Sequence, residues 1–401
     1  MKGKQLALVL ILLVALGGVA LLLRNREAAS WSESATASNE KILSFALNDV
    51  SQLTIRGEGS ELNLVKKEDG WKVAERADYP ADFDKVAGLI RKLWEMRPAQ
   101  DVKIGPSQFA RLQLTEPGKD GNSGTLIDLK ANGGQRLSAL LLGKKHLRES
   151  SQLPGGASVA AGRYLMPQTG SNRVFLVSET FDEAQIKPEQ WLSRDFIKVE
   201  KPKTISLVGT SAEMSWKVSR ETDSTPWKFL DPKPGEELDN AKASSLANFL
   251  ASPSFADVLD PNAAPAETGL DKPSVATIET FDGFIYEVRI GKPMGENYPV
   301  LVSVKAELPK ERASTPEEKP EDKASLDQQF QAGQKQLADK LAREQRLAGR
   351  SYLIAKATIE ELLKERRALI QQPPSPTPAA SLNPPAATPS PSASPARKRA
   401  R

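Results

Sequence analysis

The pattern of apolar and polar positions near the start of the chain's globular part predicts a hairpin followed by a helix. Two β-type runs, 62–67 and 71–74, flank Asp69-Gly70, a dipeptide typical of tight hairpin turns. Asp82 or Asp84 can cap a helix that begins directly after this hairpin. The apolar residues that follow recur at helical spacing: Val86, Leu89, Ile90 and Leu93.

A second segment repeats this pattern in the other half of the chain. Asp239 can cap a helix with apolar residues at Ala243, Leu246, Phe249 and Leu250. Two strands, 278–281 and 284–290, are joined by Asp282-Gly283, and apolar side chains alternate along the second of them. Sheets with one apolar face need helices packed against that face, so we expect an α+β fold with mainly antiparallel sheets.

Short matches in a constant order indicate that the two segments are copies of one unit. Three pairs lie 156 residues apart: Trp71 and Trp227, Asp101-Val102 and Asp257-Val258, and 114–117 and 270–273. The offset falls to 148 for Gly143-Lys144 and Gly291-Lys292, then rises to 177 for 173–177 and 350–354. The order predicts two tandem repeats, 45–197 and 198–370, and the rise places an insertion at 306–348 in the second repeat.

The insertion has two parts. Residues 307–323 mix charge with proline and are expected to be disordered. Residues 324–348 lack proline and place an apolar stripe along one helical face, formed by Leu326, Phe330, Leu337 and Leu341. Two interpretations remain open: a surface helix that lies on its own domain, or an amphipathic helix that docks to a partner.

The N-terminus contains an uncharged apolar run, Leu6–Leu23, whose 18 residues would form a helix about 27 Å long, close to the thickness of a bilayer core. We expect residues 1–30 to be an uncleaved anchor with a cytoplasmic N-terminus, and 31–44 a stalk that leads to an extracytoplasmic body. A cleaved secretory signal and a buried soluble helix are the alternatives. The Pro/Ser/Ala-rich segment 371–401 is expected to be a disordered basic tail.

Composition excludes several kinds of site. The chain has no cysteine and one histidine, His146, which excludes thiol nucleophiles, zinc ribbons and multi-histidine metal sites. The formal charge is +4, and the four basic residues of the tail supply all of it. A body of balanced charge does not favour nucleic acid as a partner, because such binding needs a clustered positive excess.

Candidate catalytic chemistry is sparse. The chain has no GxGxxG, P-loop, HExxH or GxSxG motif. His146 follows Lys144-Lys145 and has no orienting partner in the sequence, so we interpret it as an exposed loop residue at a strand end. We therefore expect a protein that is not an enzyme, with no catalytic, cofactor-binding or metal-ligating residue.

The repeated features together resemble the domain of unknown function 4340 family. The matching positions are Asp69-Gly70-Trp71, 82–93, 114–117, 142–144 and 175–177, with their counterparts in the second repeat. The resemblance implies a single-pass protein of the bacterial inner membrane with a periplasmic body. It further implies association with an ABC-type transport system of the gliding-motility kind, with a permease and a substrate-binding-like subunit as partners. The alternatives are a structural protein that binds cell wall or polymer and, less favoured, an uncharacterised hydrolase.

Overall fold

The same strand order occurs twice along the chain. The computed structural model describes residues 40–118, 122–149, 158–248, 251, 253–312 and 319–371. The first sheet has the order β4-β3-β2-β1-β6-β7-β8-β9-β5 and the second β12-β11-β10-β14-β15-β16-β17-β13. Apart from β4, the two orders correspond strand for strand, and all pairings between these strands are antiparallel. The prediction of two tandem α+β copies is confirmed.

The bounds of the elements are as follows. The first unit contains β1 Gln52–Gly57, β2 Ser60–Lys67, β3 Gly70–Val73, β4 Tyr79–Pro80, α1 Phe83–Glu95, β5 Gln100–Val102, β6 Thr125–Lys130, β7 Arg136–Glu149, β8 Ser158–Pro167 and β9 Val174–Val177. The second contains β10 Pro202–Val208, β11 Trp216–Ser219, β12 Lys228–Phe229, α2 Asn240–Ala247, β13 Asp257–Val258, α3 Pro265–Thr268, β14 Ser274–Thr280, β15 Phe284–Ile290, β16 Asn297–Ala306, α4 Pro320–Leu347, β17 Ser351–Ala355 and α5 Lys356–Leu362.

Each main helix begins at the predicted aspartate and covers one face of its sheet. The side chain of Asp82 accepts a hydrogen bond from the backbone N–H of Lys85, so Asp82 rather than Asp84 caps α1. Asp239 caps α2 in the same way. The four predicted apolar residues of α1 are all buried, as are Ala243 and Leu246 of α2, whereas Phe249 and Leu250 lie outside the described residues.

A joint of four aromatic rings connects the two units. Tyr79 of the first unit packs edge-on against Phe255 and Tyr352 of the second, with ring centroids 5.7 and 6.1 Å apart. Phe196, from the segment between the units, lies 4.6 Å from Tyr352 and 5.2 Å from Phe255. Burial raises the pKa of the Tyr79 hydroxyl to about 12. These four rings are called the aromatic joint below.

An ion pair across the boundary stands beside the aromatic joint. Arg76 donates from Nε and Nη2 to the two carboxylate oxygens of Asp257, both at 2.7 Å. This bidentate contact raises the pKa of Arg76. Arg350 of the second unit donates to the carbonyl of Ala77 at 3.1 Å. The two copies are therefore held together by directed polar contacts as well as by apolar packing.

Several predictions need correction at the ends of elements. Leu43 is 2 % exposed and belongs to the core, so the predicted stalk, 31–44, extends too far. The insertion helix α4 begins at Pro320, four residues before the predicted start. The predicted anchor, 1–30, and most of the tail, 371–401, lie outside the described residues. Within the part of the chain that is described, no helix has the length and apolar character needed to cross a bilayer.

Candidate functional site

A cleft of about 670 Å³ lies on the first unit, beside the β7–β8 hairpin. One wall consists of residues from β5 and from the segment after it, which includes the 3-10 helix Pro106–Leu112. The other wall consists of Lys144 to Leu147 of β7. Tyr164 of β8 contributes to the lining. These residues are called the hairpin cleft below.

The first wall is held in place by a second, smaller core. Alternate residues of β7 belong to different cores: Leu140 and Leu142 face α1, whereas Ala139 and Leu141 face the other side of the sheet. On that side they meet Phe109 and Leu114 from the segment after β5. This packing fixes the segment over the sheet.

Close backbone approach brings the two walls together at Gly143. A Cβ built on Gly143 would lie 2.3 Å from the carbonyl oxygen of Leu112, closer than any real contact. Only glycine therefore lets the 3-10 helix pass this near to β7. The second unit repeats the arrangement, because a Cβ on Gly291 would lie 2.1 Å from the carbonyl oxygen of Thr268.

Beyond Gly143 the strand β7 leaves the sheet and pairs with β8 alone. The pairing shifts register between Leu142 and Lys145 and again after His146. Arg163 of β8 stabilises the start of this two-stranded extension, because its guanidinium donates to the carbonyls of Gly143 at 2.8 Å and Thr180 at 3.2 Å. Burial lowers the pKa of Arg163.

His146 is in strand β7 and is half-buried, so the expectation of an exposed loop residue without a partner is wrong. Its Nδ1 lies 3.3 Å from the hydroxyl of Tyr164, and the two rings meet edge to face. No residue pattern indicates this pair, because the two residues are brought together only by the register of the bulged hairpin.

Positive charge exceeds negative charge around the hairpin cleft. The two nearby carboxylates are both paired: Asp101 accepts from Arg173 at 2.7 Å, and Asp182 is bound by Lys145 and Thr180. The hydrogen bond from Lys145 is the main cause that lowers the pKa of Asp182. Among the described residues, Lys103, Arg111 and Lys144 have no acidic partner, and Arg111 donates a hydrogen bond to the side-chain oxygen of Gln108 at 3.2 Å. The cleft is therefore suited to bind anionic groups.

The cleft does not assemble a recognisable catalytic set from its described residues. Asp101 is engaged by Arg173, and among the described residues His146 has a hydrogen bond with Tyr164 but none with a carboxylate that would orient it as a base. No group of three or more His, Cys, Asp or Glu side chains within the described part of the chain could hold a metal ion.

The predicted docking stripe on α4 divides into two parts. Leu337 and Leu341 pack against the core of the second unit. Leu326 is exposed and Phe330 is half-buried, and neither belongs to a core cluster. The helix is therefore attached to its own domain by its C-terminal half, while the N-terminal half presents the remaining apolar residues.

A buried carboxylate fixes the attached half of α4. Glu344 is 1 % exposed and accepts hydrogen bonds from the backbone N–H of Lys198 at 3.1 Å and the hydroxyl of Tyr286 at 2.9 Å. Burial raises the pKa of Glu344, and burial beside this carboxylate raises the pKa of Tyr286. One turn earlier, Lys340 donates to Glu200 at 2.7 Å.

The chain belongs to the family of the domain of unknown function DUF4340, whose model matches residues 71–273. The matched region begins in β3 and ends before β14, so it crosses the boundary between the copies and includes both Arg76 and Asp257. No curated protein and no solved structure matches the chain.

Proposed function

We propose that this protein is a non-enzymatic accessory subunit of an ABC-type transport system. Its N-terminal segment would hold it at the inner membrane, with both units in the periplasm. Its partners would be the permease and a substrate-binding-like subunit. Such a subunit acts through surfaces, so its function depends on what docks to it.

The observation that supports this proposal is the division of helix α4. An amphipathic helix usually covers its own domain along its whole apolar face. Here Leu337 and Leu341 do so, whereas Leu326 and Phe330 continue the stripe beyond the residues that pack on the core. A partly exposed apolar helix face of this kind fits a hydrophobic groove on a partner protein.

The test is purification of the tagged full-length protein from membranes in mild detergent, followed by identification of the associated proteins. Leu326→Ala together with Phe330→Ala should reduce recovery of a permease and its ATPase. Leu230→Ala is the matched control, because Leu230 is also an exposed leucine of the second unit but follows β12, at the other end of the strand order from the strands that α4 connects. Equal recovery with the double variant would remove α4 as the docking element.

Two further results bear on the same proposal. An alkaline phosphatase fusion placed after Asn39 should be active if the body is extracytoplasmic, and an inactive fusion would contradict the orientation. Recovery without any transporter component, combined with sedimentation of the protein on anionic wall polymer, would favour a structural wall-binding role. The basic tail, with Arg397, Lys398, Arg399 and Arg401, is the feature that would suit that role.

A further inference from the structure

We propose that the hairpin cleft of the first unit is a binding site for an organic anion, a ligand with a carboxylate or phosphate group attached to an apolar body. This binding role goes beyond the transport proposal and does not depend on it. The cleft volume of about 670 Å³ is in the range of small-molecule sites.

Charge supports an anionic ligand. Lys103, Arg111 and Lys144 line one cleft, and none has an acidic partner among the described residues. The carboxylates that could have neutralised them, Asp101 and Asp182, are already bound by Arg173 and Lys145. Three cations without a counter-charge repel one another, and a bound anion removes that repulsion while it gains charge-assisted hydrogen bonds.

The lining also supports an apolar part of the ligand. Val102, Ile104 and Leu112 form one side of the cleft, and Leu147 lies opposite them. Leu147 is 56 % exposed, so a large part of its apolar side chain is in contact with water. A small inorganic ion would leave these side chains in water, whereas an organic body would cover them.

His146 and Tyr164 add polar groups with a fixed orientation. If the Tyr164 hydroxyl donates to Nδ1 of His146, the imidazole proton is held on Nε2, which then serves as a hydrogen-bond donor. A hydrogen-bond donor beside three cations would add a directed contact to a bound oxyanion.

The second unit provides an internal control. Lys292 is the repeat counterpart of Lys144, but its Nζ donates to the carbonyl of Ala266 at 3.1 Å and its backbone N–H to that of Thr268 at 2.9 Å. Strands β15 and β16 are joined by the short segment 291–296, so no extended hairpin forms a second wall. In the second unit Lys292 therefore donates to neighbouring backbone carbonyls, whereas in the first unit Lys144 lines the hairpin cleft.

The experiment is isothermal titration calorimetry on the full-length protein in mild detergent, with 1-naphthyl phosphate, 1-naphthoate, inorganic phosphate and 1-naphthol as probes. At least one naphthyl anion should bind about tenfold more tightly than both inorganic phosphate and naphthol. Comparison of the two naphthyl anions distinguishes a phosphate from a carboxylate ligand.

Variants separate this site from general surface binding. Lys103→Gln with Lys144→Gln should weaken the binding of the preferred anion at least about tenfold, because two charge-assisted contacts are lost. Lys292→Gln should leave the binding unchanged. The melting temperatures of both variants should remain near the wild-type value, because Lys103, Lys144 and Lys292 are all exposed. The proposal is overturned if neither naphthyl anion binds, if naphthol binds as well as the anions, or if the double variant binds like the wild type.

Discussion

The two units share a strand order but differ in the connections that extend from it. In the first unit, the hairpin β7–β8 reaches past the sheet and the segment after β5 covers a second face of the sheet. In the second unit that hairpin is short, and the long helix α4 is inserted before the last strand. The corresponding face carries Ile285, Glu287 and Arg289, and no second core covers it in the part of the chain that the structure describes. The difference teaches that duplication preserved the framework and that the distinctive surfaces arose in its loops.

The aspartate and arginine that pair within the first unit have counterparts in the second unit that bind across the boundary between the units. In the first copy, Asp101 on the edge strand pairs with Arg173 of the same unit. The counterparts are Asp257 and Arg350, and they do not pair with each other in the described structure. Asp257 binds Arg76 and Arg350 binds the carbonyl of Ala77, so both now serve the boundary between the units.

The largest effect is expected from breaking the aromatic joint. Phe255→Ala should lower the free energy of unfolding by about 3–5 kcal/mol, because a buried ring that contacts three other rings is lost. Denaturant unfolding should also separate into two transitions, since the joint connects the units. Phe229→Ala, which removes a buried ring of the second unit alone, should destabilise without this separation. A single transition in both variants would show that the joint does not couple the units.

The paired aspartates give a second, smaller comparison. Asp257→Asn should lower the free energy of unfolding by about 1.5–3 kcal/mol, because it breaks a partly buried bidentate contact with Arg76. Asp101→Asn should cost less than about 1 kcal/mol, because its partner Arg173 is largely exposed. Urea unfolding of both variants checks this order, and equal losses would contradict a special role for the boundary pair.

The free energy of unfolding should depend on pH through Glu344, the buried carboxylate of α4. Burial raises the pKa of this carboxyl in the folded state, so its neutral form is favoured there and its contribution to stability is lost as the pH rises through the folded pKa. Glu344→Gln keeps an acceptor for Lys198 and should therefore be as stable as the wild type or more stable at pH 8, by on the order of 1 kcal/mol. This advantage should shrink toward pH 4.

Glu200 on the facing segment supplies a control of opposite sign. The hydrogen bond from Lys340 is the main cause that lowers its pKa, so its contribution is present at neutral pH and is lost as the pH falls through the folded pKa. Glu200→Gln should thus cost up to about 1 kcal/mol at pH 8 and less at pH 4. Unfolding curves at the two pH values distinguish the variants, and parallel behaviour would refute the buried-carboxyl account.

The smallest effect is expected at the front of α4. Leu326→Ala should change the free energy of unfolding by no more than about 0.5 kcal/mol, because the side chain is exposed. Leu341→Ala should cost about 1–2 kcal/mol, because that leucine packs on the core. Thermal melts of the two variants test the division of the helix, and equal losses would mean that the stripe packs along its whole length.

Local patterns were sufficient to predict the framework. The turn at Asp69-Gly70, the capping role of Asp82 and the strand 284–290 all appear as expected, because each depends on residues that are close in sequence. The repeat could also be predicted, because Gly143 and Gly291, like the helix caps Asp82 and Asp239, occupy equivalent positions in the two units.

The hairpin cleft could not be predicted in the same way. Its walls come from two distant stretches, near Lys103 and near Lys144, and they meet only because Gly143 allows close approach and a second core fixes the crossing segment. The partner of His146 likewise depends on two shifts of register in β7 and β8 that no residue pattern announces. The sequence also does not show which half of α4 packs on the core, because all four apolar residues share one helical spacing.

The edge position of β5 and β13 has a consequence for the order of events during synthesis. Each of these strands pairs with the last strand of its own sheet, β9 or β17, which is made much later. At typical rates of elongation, Val102 would wait roughly 4–15 s for Val177, and Val258 roughly 5–20 s for Ala355, because α4 lies in between. Phe255 would lack its contact with Tyr352 throughout the second interval, so the nascent second unit is the stage at which a chaperone would have most to protect.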